Sequence, residues 1–232
     1  MRRLIRTLAI LLLLGLGIAG WKRKVMLVPT VRAKAPATHY PASDTFREAI
    51  ANTKKLTVLI STEGWETWDR GTGVLLDSTH VLTCAHVVKD EGNMMLVYFY
   101  PGYVLAHGKA VYSDSFKDLA IVEIDVPVNA EEYATFTTEH YDGEPIVAIG
   151  NALGSLQWFV NYGVISGGNG KDLYSENLIV AGDSGGPWID SKGRIVAISA
   201  WGIESAGVDG GVSSRTVYDF LQAYVKTLPV KE

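Results

Sequence analysis

The chain has 232 residues, 47% of them hydrophobic and 20% charged, with a formal net charge of −4. That length supplies one large domain or two small barrels sharing an interface, and the composition excludes a disordered chain. The acidic balance leaves no basic footprint for nucleic acid, and the single cysteine, Cys84, excludes an internal disulfide and any cysteine-based metal cluster.

Residues 1–24 place Arg2, Arg3 and Arg6 before an apolar run from Leu8 to Trp21, and Lys22, Arg23 and Lys24 after it. Such a segment partitions into a bilayer while its flanking charges stay at the surface, so it reads as a signal-anchor or signal peptide. Counted from Leu8 the run is short for a spanning helix; counted from Leu4, with Arg6 snorkelling, it spans. Gly17 and Ala19 offer a cleavage site, but the basic cluster that follows is an unusual start for a mature exported chain, which favours an uncleaved anchor. The rest of the chain is then expected on the extracytoplasmic side, membrane-anchored or exported. Residues 25–52 carry Pro29, Pro36 and Pro41 without sustained periodicity and are expected to form a linker.

From Leu56 onward the pattern changes to short strands punctuated by glycine. "KLTVLIST", "GTGVLLD", "THVLTCAHVV", "NMMLVYFY", "KAVYS" and "DLAIVEI" form a first series. "EPIVAIG", "NYGVISGG", "ENLIVAG", "GPWID" and "GRIVAISAWG" form a second, in which Ser191, Lys192 and Gly193 read as a hairpin turn. Two sets of strands predict an all-β domain over residues 53–232, built as two packed barrels or sheets at about 55–128 and 142–215. Val217, Phe220, Leu221, Tyr224, Val225 and Leu228 form one apolar stripe and predict a C-terminal helix at about 216–228.

Three stretches carry chemistry together. "TCAHVV" places His86 at the end of an apolar strand, "DLAIVEI" places Asp118 at the head of another, and "GDSGGP" places Ser184 in a glycine-framed turn. A serine hydroxyl attacks well only when a base removes its proton, and a neutral imidazole suits that task. A buried carboxylate on the other ring nitrogen fixes the tautomer and stabilises the imidazolium that forms. Glycines let backbone N–H groups approach a developing oxyanion. Singly these signals are weaker: an aspartate heading a strand is usually a turn residue, and His39, His80, His107 and His140 read as packed or exposed imidazoles. Cys84, two residues before His86, reads as a small core residue.

With "VAIGNALGS", "YGVISGG", "GDSGGPWIDSKGRIVAISAWG" and "GGVSSRTVYDFL" added, the chain from about residue 55 to 222 resembles the trypsin-like, chymotrypsin-fold serine proteases, and most closely those of HtrA/Deg type. The resemblance implies two six-stranded antiparallel β-barrels with a C-terminal α-helix, preceded here by the N-terminal hydrophobic helix. It makes His86 the general base, Asp118 its orienting carboxylate and Ser184 the nucleophile. The N–H groups of Gly182 and Ser184 would form the oxyanion hole, and Ala200, Trp201 and Gly202 would pair with the substrate backbone as an added strand. Leu178 would sit at the floor of the first specificity pocket and favour small or medium apolar residues over Lys or Arg. The implied function is a serine endopeptidase acting through an acyl-enzyme on extended protein or peptide segments, in extracytoplasmic quality control, with no cofactor and no metal. The alternative is a membrane-tethered pseudoprotease that binds extended peptides without cutting them.

Two departures stand out. HtrA/Deg proteins usually have asparagine where this chain has Asp183, and a buried aspartate calls for an internal partner, with an arginine as the first candidate. No peptide-binding PDZ domain is expected within the chain. Trimers are common among such proteins; a homo-oligomer is left open, since no residue here establishes it.

Overall fold

The computed structural model describes residues 42–62, 70–89, 92–101, 104–130, 132–153, 156–176 and 179–229. The apolar leader, most of the expected linker and Leu178 lie outside them. No helix among the described residues is long and apolar enough to cross a membrane.

Where the linker was expected to run to residue 52, the chain folds into α1 (Ala42–Thr45) and α2 (Arg47–Leu56). Phe46, Ala49 and Thr53 recur at helical spacing and are buried, Phe46 to 2% exposure, with Ile50 packed beside them. This short stripe, set among lysines and polar residues, docks α2 on the domain and delivers the chain into the first strand.

Six strands then close on themselves: β1 (Thr57–Thr62), β2 (Arg70–Leu75), β3 (His80–Thr83), β4 (Met94–Phe99), β5 (Val104–Asp114) and β6 (Leu119–Ile124). Their order is β1-β2-β3-β6-β5-β4, and β1 completes the circle by pairing antiparallel with both β2 and β4. Alternate residues such as Met95, Val97 and Phe99 fill the interior with Val74, Leu82 and Ile121. Between β3 and β4 the chain makes one helical turn, α3 (Ala85–Val88).

The second half contains β7 (Pro145–Ala152), β8 (Leu156–Val164), β9 (Gly167–Gly168), β10 (Asp172–Glu176), β11 (Pro187–Ile189), β12 (Ile195–Ile203) and β13 (Val208–Ser213). These form a seven-stranded sheet in the order β8-β7-β11-β12-β13-β10-β9, where a closed six-stranded barrel was expected. Among the described residues the two-residue β9 pairs only with β10, and no pairing of β8 with β9 closes the sheet. Ile146, Leu173, Val196 and the fully buried Trp188 form its separate core cluster.

The hairpin at Ser191–Gly193 is present. Asp190 Oδ1 accepts from Lys192 N and Arg194 N, both at 2.9 Å, while Arg194 Nε donates to Oδ2 at 2.7 Å. The closing helix, α4 (Ser214–Thr227), is capped by Ser213 and buries Val217 and Phe220. Its Phe220 and Tyr224 rings meet Tyr112 of β5 at 5.2 and 5.4 Å, so the last helix clasps the first barrel.

Candidate active site

His86 lies in the helical turn α3 and not at the end of a strand, because β3 stops at Thr83 and Cys84 is already the extended residue capping the turn. Asp118 immediately precedes β6 and has φ of +56°, a left-handed conformation uncommon for aspartate. The strain is held from both sides. Asp118 Oδ1 accepts from His86 N at 3.0 Å and Oδ2 from His86 Nδ1–H at 2.8 Å. From the second half of the molecule, Lys171 Nζ donates to Phe116 O at 2.7 Å and lies over the Phe116 ring, bracing the turn that leads to Asp118. With its proton committed to Asp118, the Nδ1 side leaves Nε2 as the basic atom. Asp118 was expected to be buried; its side chain is 28% exposed, since the turn it ends lies at the surface.

His80 with Asp77 at 2.9 Å and His107 with Asp125 at 3.2 Å make similar pairs. What distinguishes His86 is the serine turn beside it. Cys84 Sγ and Gly185 N both donate to the carbonyl of Ser199, at 3.1 and 2.8 Å, so the residues flanking His86 and Ser184 share one acceptor. Thr72 of β2 clamps the same place: its N–H donates to Ser184 O at 2.8 Å, and its hydroxyl donates to Gly182 O at 2.8 Å while accepting from Asn151 N and Nδ2.

Gly182 has φ of +98°, and a Cβ there would stand 2.4 Å from Asn151 O, so no other residue fits. Neither Gly182 N–H nor Ser184 N–H makes a hydrogen bond within the described residues. Ser184 is half-buried, and its hydroxyl is likewise unbonded among the described residues. Two donors and a nucleophile in one short turn, beside an oriented imidazole, are the parts an acyl transfer requires.

The strand beside this turn has an open edge. β12 pairs with β11 as far as Ile198, Ser199 bonds to Gly185 and Gly186 of the serine turn, and beyond Ser199 the described strand partner of β12 is β13. A bulge between Ser199 and Trp201 leaves Ala200 without a partner on β13. Trp201 lies flat over Gly210, where a Cβ would meet the indole at 2.1 Å. On its other edge, the backbone at Ala200, Trp201 and Gly202 has no strand partner among the described residues.

A family model described as a trypsin-like peptidase domain matches residues 71–198, more than half of the chain. The chain belongs to the trypsin-like peptidase domain family. It is 32% identical over 149 residues to the serine protease Do-like HtrB of Bacillus subtilis, covering 57% of this chain and 32% of that protein. It is 29% identical over 184 residues to a serine protease HtrA-like of Staphylococcus aureus, covering 69% of this chain and 24% of that one. The chain therefore spans about a third or less of the length of these curated relatives. A crystal structure of the serine endoprotease from Yersinia pestis aligns with a TM-score of 0.67 at 21% identity, over 78% of this chain and 67% of that one, and shares the fold.

Within this trypsin-like site, Asp183 has no arginine partner among the described residues. Its Oδ2 accepts from Val180 N at 3.0 Å, and its Oδ1, packed against Gly150, has none. Burial pushes its carboxyl up to about 6, with the nearby Asp209 charge adding to the rise and the Val180 N–H opposing it. The folded protein therefore holds this proton more tightly than the unfolded chain. The resulting stabilisation is complete at acid pH and is lost as the pH rises through about 6. Asp183→Asn keeps the acceptor for Val180 and removes the charge, so it is expected to raise stability at pH 8 by roughly 2–3 kcal/mol, with the gain shrinking towards pH 4. Thermal melts across that range check this; a variant no more stable than wild type at pH 8 contradicts it.

Cys84 is fully buried, and burial, with Asp118 nearby, pushes its thiol well up, which keeps it protonated and inert. Cys84, His86 and Asp118 bring a sulfur, a ring nitrogen and a carboxylate oxygen within 4.8 Å of one another. These atoms are engaged in the Ser199 and His86–Asp118 hydrogen bonds.

The expected pocket floor at Leu178 lies outside the described residues. The described cavity beside Ser184, about 610 Å3, has two acids in its lining, Asp209 and Glu204. Neither was singled out in the sequence. The available signal was "GVDGG", an acid between glycines in a stretch that pairs with "AWGI".

Proposed function

We propose that the protein is a serine endopeptidase that hydrolyses peptide bonds in extended segments through an acyl-enzyme on Ser184. The observation that carries this reading is the oriented His86–Asp118 pair, joined through Thr72 and Ser199 to a serine turn with two unbonded N–H groups. Substrate pairs as an added strand along Ala200–Gly202, its carbonyl oxygen entering between the N–H groups of Gly182 and Ser184. Ser184 Oγ attacks the carbonyl carbon as His86 Nε2 takes its proton. The same imidazolium then protonates the leaving amine, and water repeats the sequence to release the acid. Asp118 keeps Nδ1 protonated throughout.

Residues 1–24 tether or export the domain to the outer side of a membrane, where misfolded chains supply extended segments; the relatives named serine proteases support the peptidase activity. Leu178 argues for a small or medium apolar residue on the acyl side of the cut bond, whereas the described lining includes carboxylates. Incubating the full chain with a permanently unfolded protein and sequencing the products by mass spectrometry tests the reading. Internal cuts by wild type are expected, and an intact substrate after prolonged incubation favours the peptide-binding scaffold instead.

Thr72 gives a prediction specific to this geometry. Thr72→Val preserves shape but leaves Gly182 O and the Asn151 backbone N–H without this partner, while Asn151 Nδ2 keeps its bond to Val58 O. The expected cost is about 1–3 kcal/mol of stability. A fall in kcat of up to about a hundredfold should accompany it, because the oxyanion donors lose their aim. Denaturant titration and steady-state kinetics on one sample separate the two; an unchanged kcat would assign the hydroxyl to the fold alone.

A further inference from the structure

Asp118 is the last residue of the hairpin loop between β5 and β6. The closing pair of that ladder is Asp114 with Leu119, which leaves Ser115, Phe116, Lys117 and Asp118 in the loop. The start of the loop is held by the chain itself. Asp114 Oδ1 accepts from Phe116 N and Lys117 N, both at 3.0 Å, and Asp114 Oδ2 accepts from Lys117 Nζ. None of these bonds reaches Asp118, whose φ of +56° is a sparsely populated conformation that persists only where its surroundings impose it. The bonds from His86 turn the carboxylate towards the imidazole, but they leave the outer side of the loop to be fixed from elsewhere.

Lys171, in the other half of the molecule, is built to do that. It stands immediately before β10, and its backbone is anchored on both sides. Lys171 N donates to Asn169 Oδ1 at 2.9 Å, and Lys171 O accepts from Ser213 N at 2.8 Å and Thr216 Oγ1 at 3.0 Å, at the start of α4. From that base its Nζ reaches Phe116 O at 2.7 Å and lies 5.1 Å from the centroid of the Phe116 ring. Phe116 is 82% exposed, so burial does little to hold it, and a charged donor on its carbonyl does more. Phe116 lies two residues before Asp118, and planar peptides pass a shift of its carbonyl on to the carboxylate. We propose that Lys171 is a positioning residue for the reaction: by fixing Phe116 O it keeps the Asp118 carboxylate on His86 Nδ1. The half that carries Ser184 thereby aligns the base carried by the other half. This rests on the serine endopeptidase reading above and adds to it a residue that acts through Asp118.

The test uses the full 232-residue chain and two readouts: the rate at which a fluorophosphonate labels Ser184, and kcat and KM for a peptide that wild type cuts. Lys171→Met keeps the length of the side chain and removes the charged donor. Labelling and kcat are expected to fall roughly tenfold, within the about hundredfold that a small misplacement can cost, with KM unchanged. Lys171→Arg still donates to a carbonyl and stacks on a ring, so it should recover both to within about threefold of wild type. Lys192→Met removes the same charge from the exposed hairpin and should label as wild type does. Denaturation midpoints are recorded for each. Lys171→Met that labels at the wild-type rate, or that is slowed no more than Lys192→Met, overturns the proposal and leaves the endopeptidase reading standing. A loss of rate that arginine does not recover, and that follows a lowered midpoint, assigns Lys171 to the fold and overturns it equally. If wild type itself takes no label, the endopeptidase reading falls, and this proposal with it.

Discussion

Replacing Ser184 with alanine is expected to lower kcat for any cleaved peptide by a factor on the order of 10^4 to 10^6. The magnitude follows from the roles assigned to the turn. Without Oγ no acyl-enzyme forms, and only direct attack by water, aided by the Gly182 and Ser184 N–H groups and by binding, remains. The fold should be untouched. The hydroxyl makes no hydrogen bond among the described residues, so its removal strands no described partner, and the backbone bonds from Thr72 N to Ser184 O and from Gly185 N to Ser199 O persist. Parallel melting curves and progress curves check both halves. Turnover by the variant near the wild-type rate would place the chemistry elsewhere.

Asp118→Asn is the second large effect, a fall in kcat on the order of 10^4 with little change in KM. An asparagine here can turn its amide towards His86 Nδ1, which then accepts a proton instead of donating one, and Nε2 becomes protonated and useless as a base. The substitution is also the gentlest available to the backbone, because asparagine tolerates the left-handed φ of +56° at this position. Asp118→Ala, by contrast, should lose stability as well as rate. Equal loss of rate and stability in the asparagine variant would mean that Asp118 serves the fold and not the proton.

The residues of the site were legible because chemistry dictates their type and glycine frames them. His86, Asp118 and Ser184 stand in stretches that announce themselves, and the structure brings the first two into direct contact and ties the third to them through Ser199 and Thr72. The hairpin at Ser191–Gly193 and the helix α4 were equally plain, one from turn residues and the other from a long apolar stripe. Helix α2 was not, because its buried face amounts to Phe46, Ala49 and Thr53 with two lysines in its last turn, too weak a period to stand out after a proline-rich stretch. The turn that carries His86 reads as strand because valines follow it, and only the packing of Val87 against Gly71 shows otherwise. Asp209 escaped notice for a different reason. Its place in the cavity that Ser184 also lines depends on register, since the pairing of β12 with β13 sets it opposite Gly202. An acid between two glycines carries no such information by itself.

The same register explains how the halves of the molecule share the work. The barrel half carries His86 and Asp118, while the sheet half carries the Ser184 turn and the Ala200–Gly202 strand edge. Thr72 is where they meet, bonding by backbone and side chain to both sides of Asp183. A site divided this way is sensitive to the interface between its halves.

The central claim is that Ser184 is an activated nucleophile. It is tested most directly by treating the full chain and its Ser184→Ala variant with a fluorophosphonate and locating the adduct by peptide mass spectrometry. A single adduct on Ser184 in wild type, absent from the variant and from wild type unfolded in denaturant, is the predicted result. A folded wild-type protein that acquires no adduct would contradict the claim and leave a trypsin-like fold that holds peptides without cutting them.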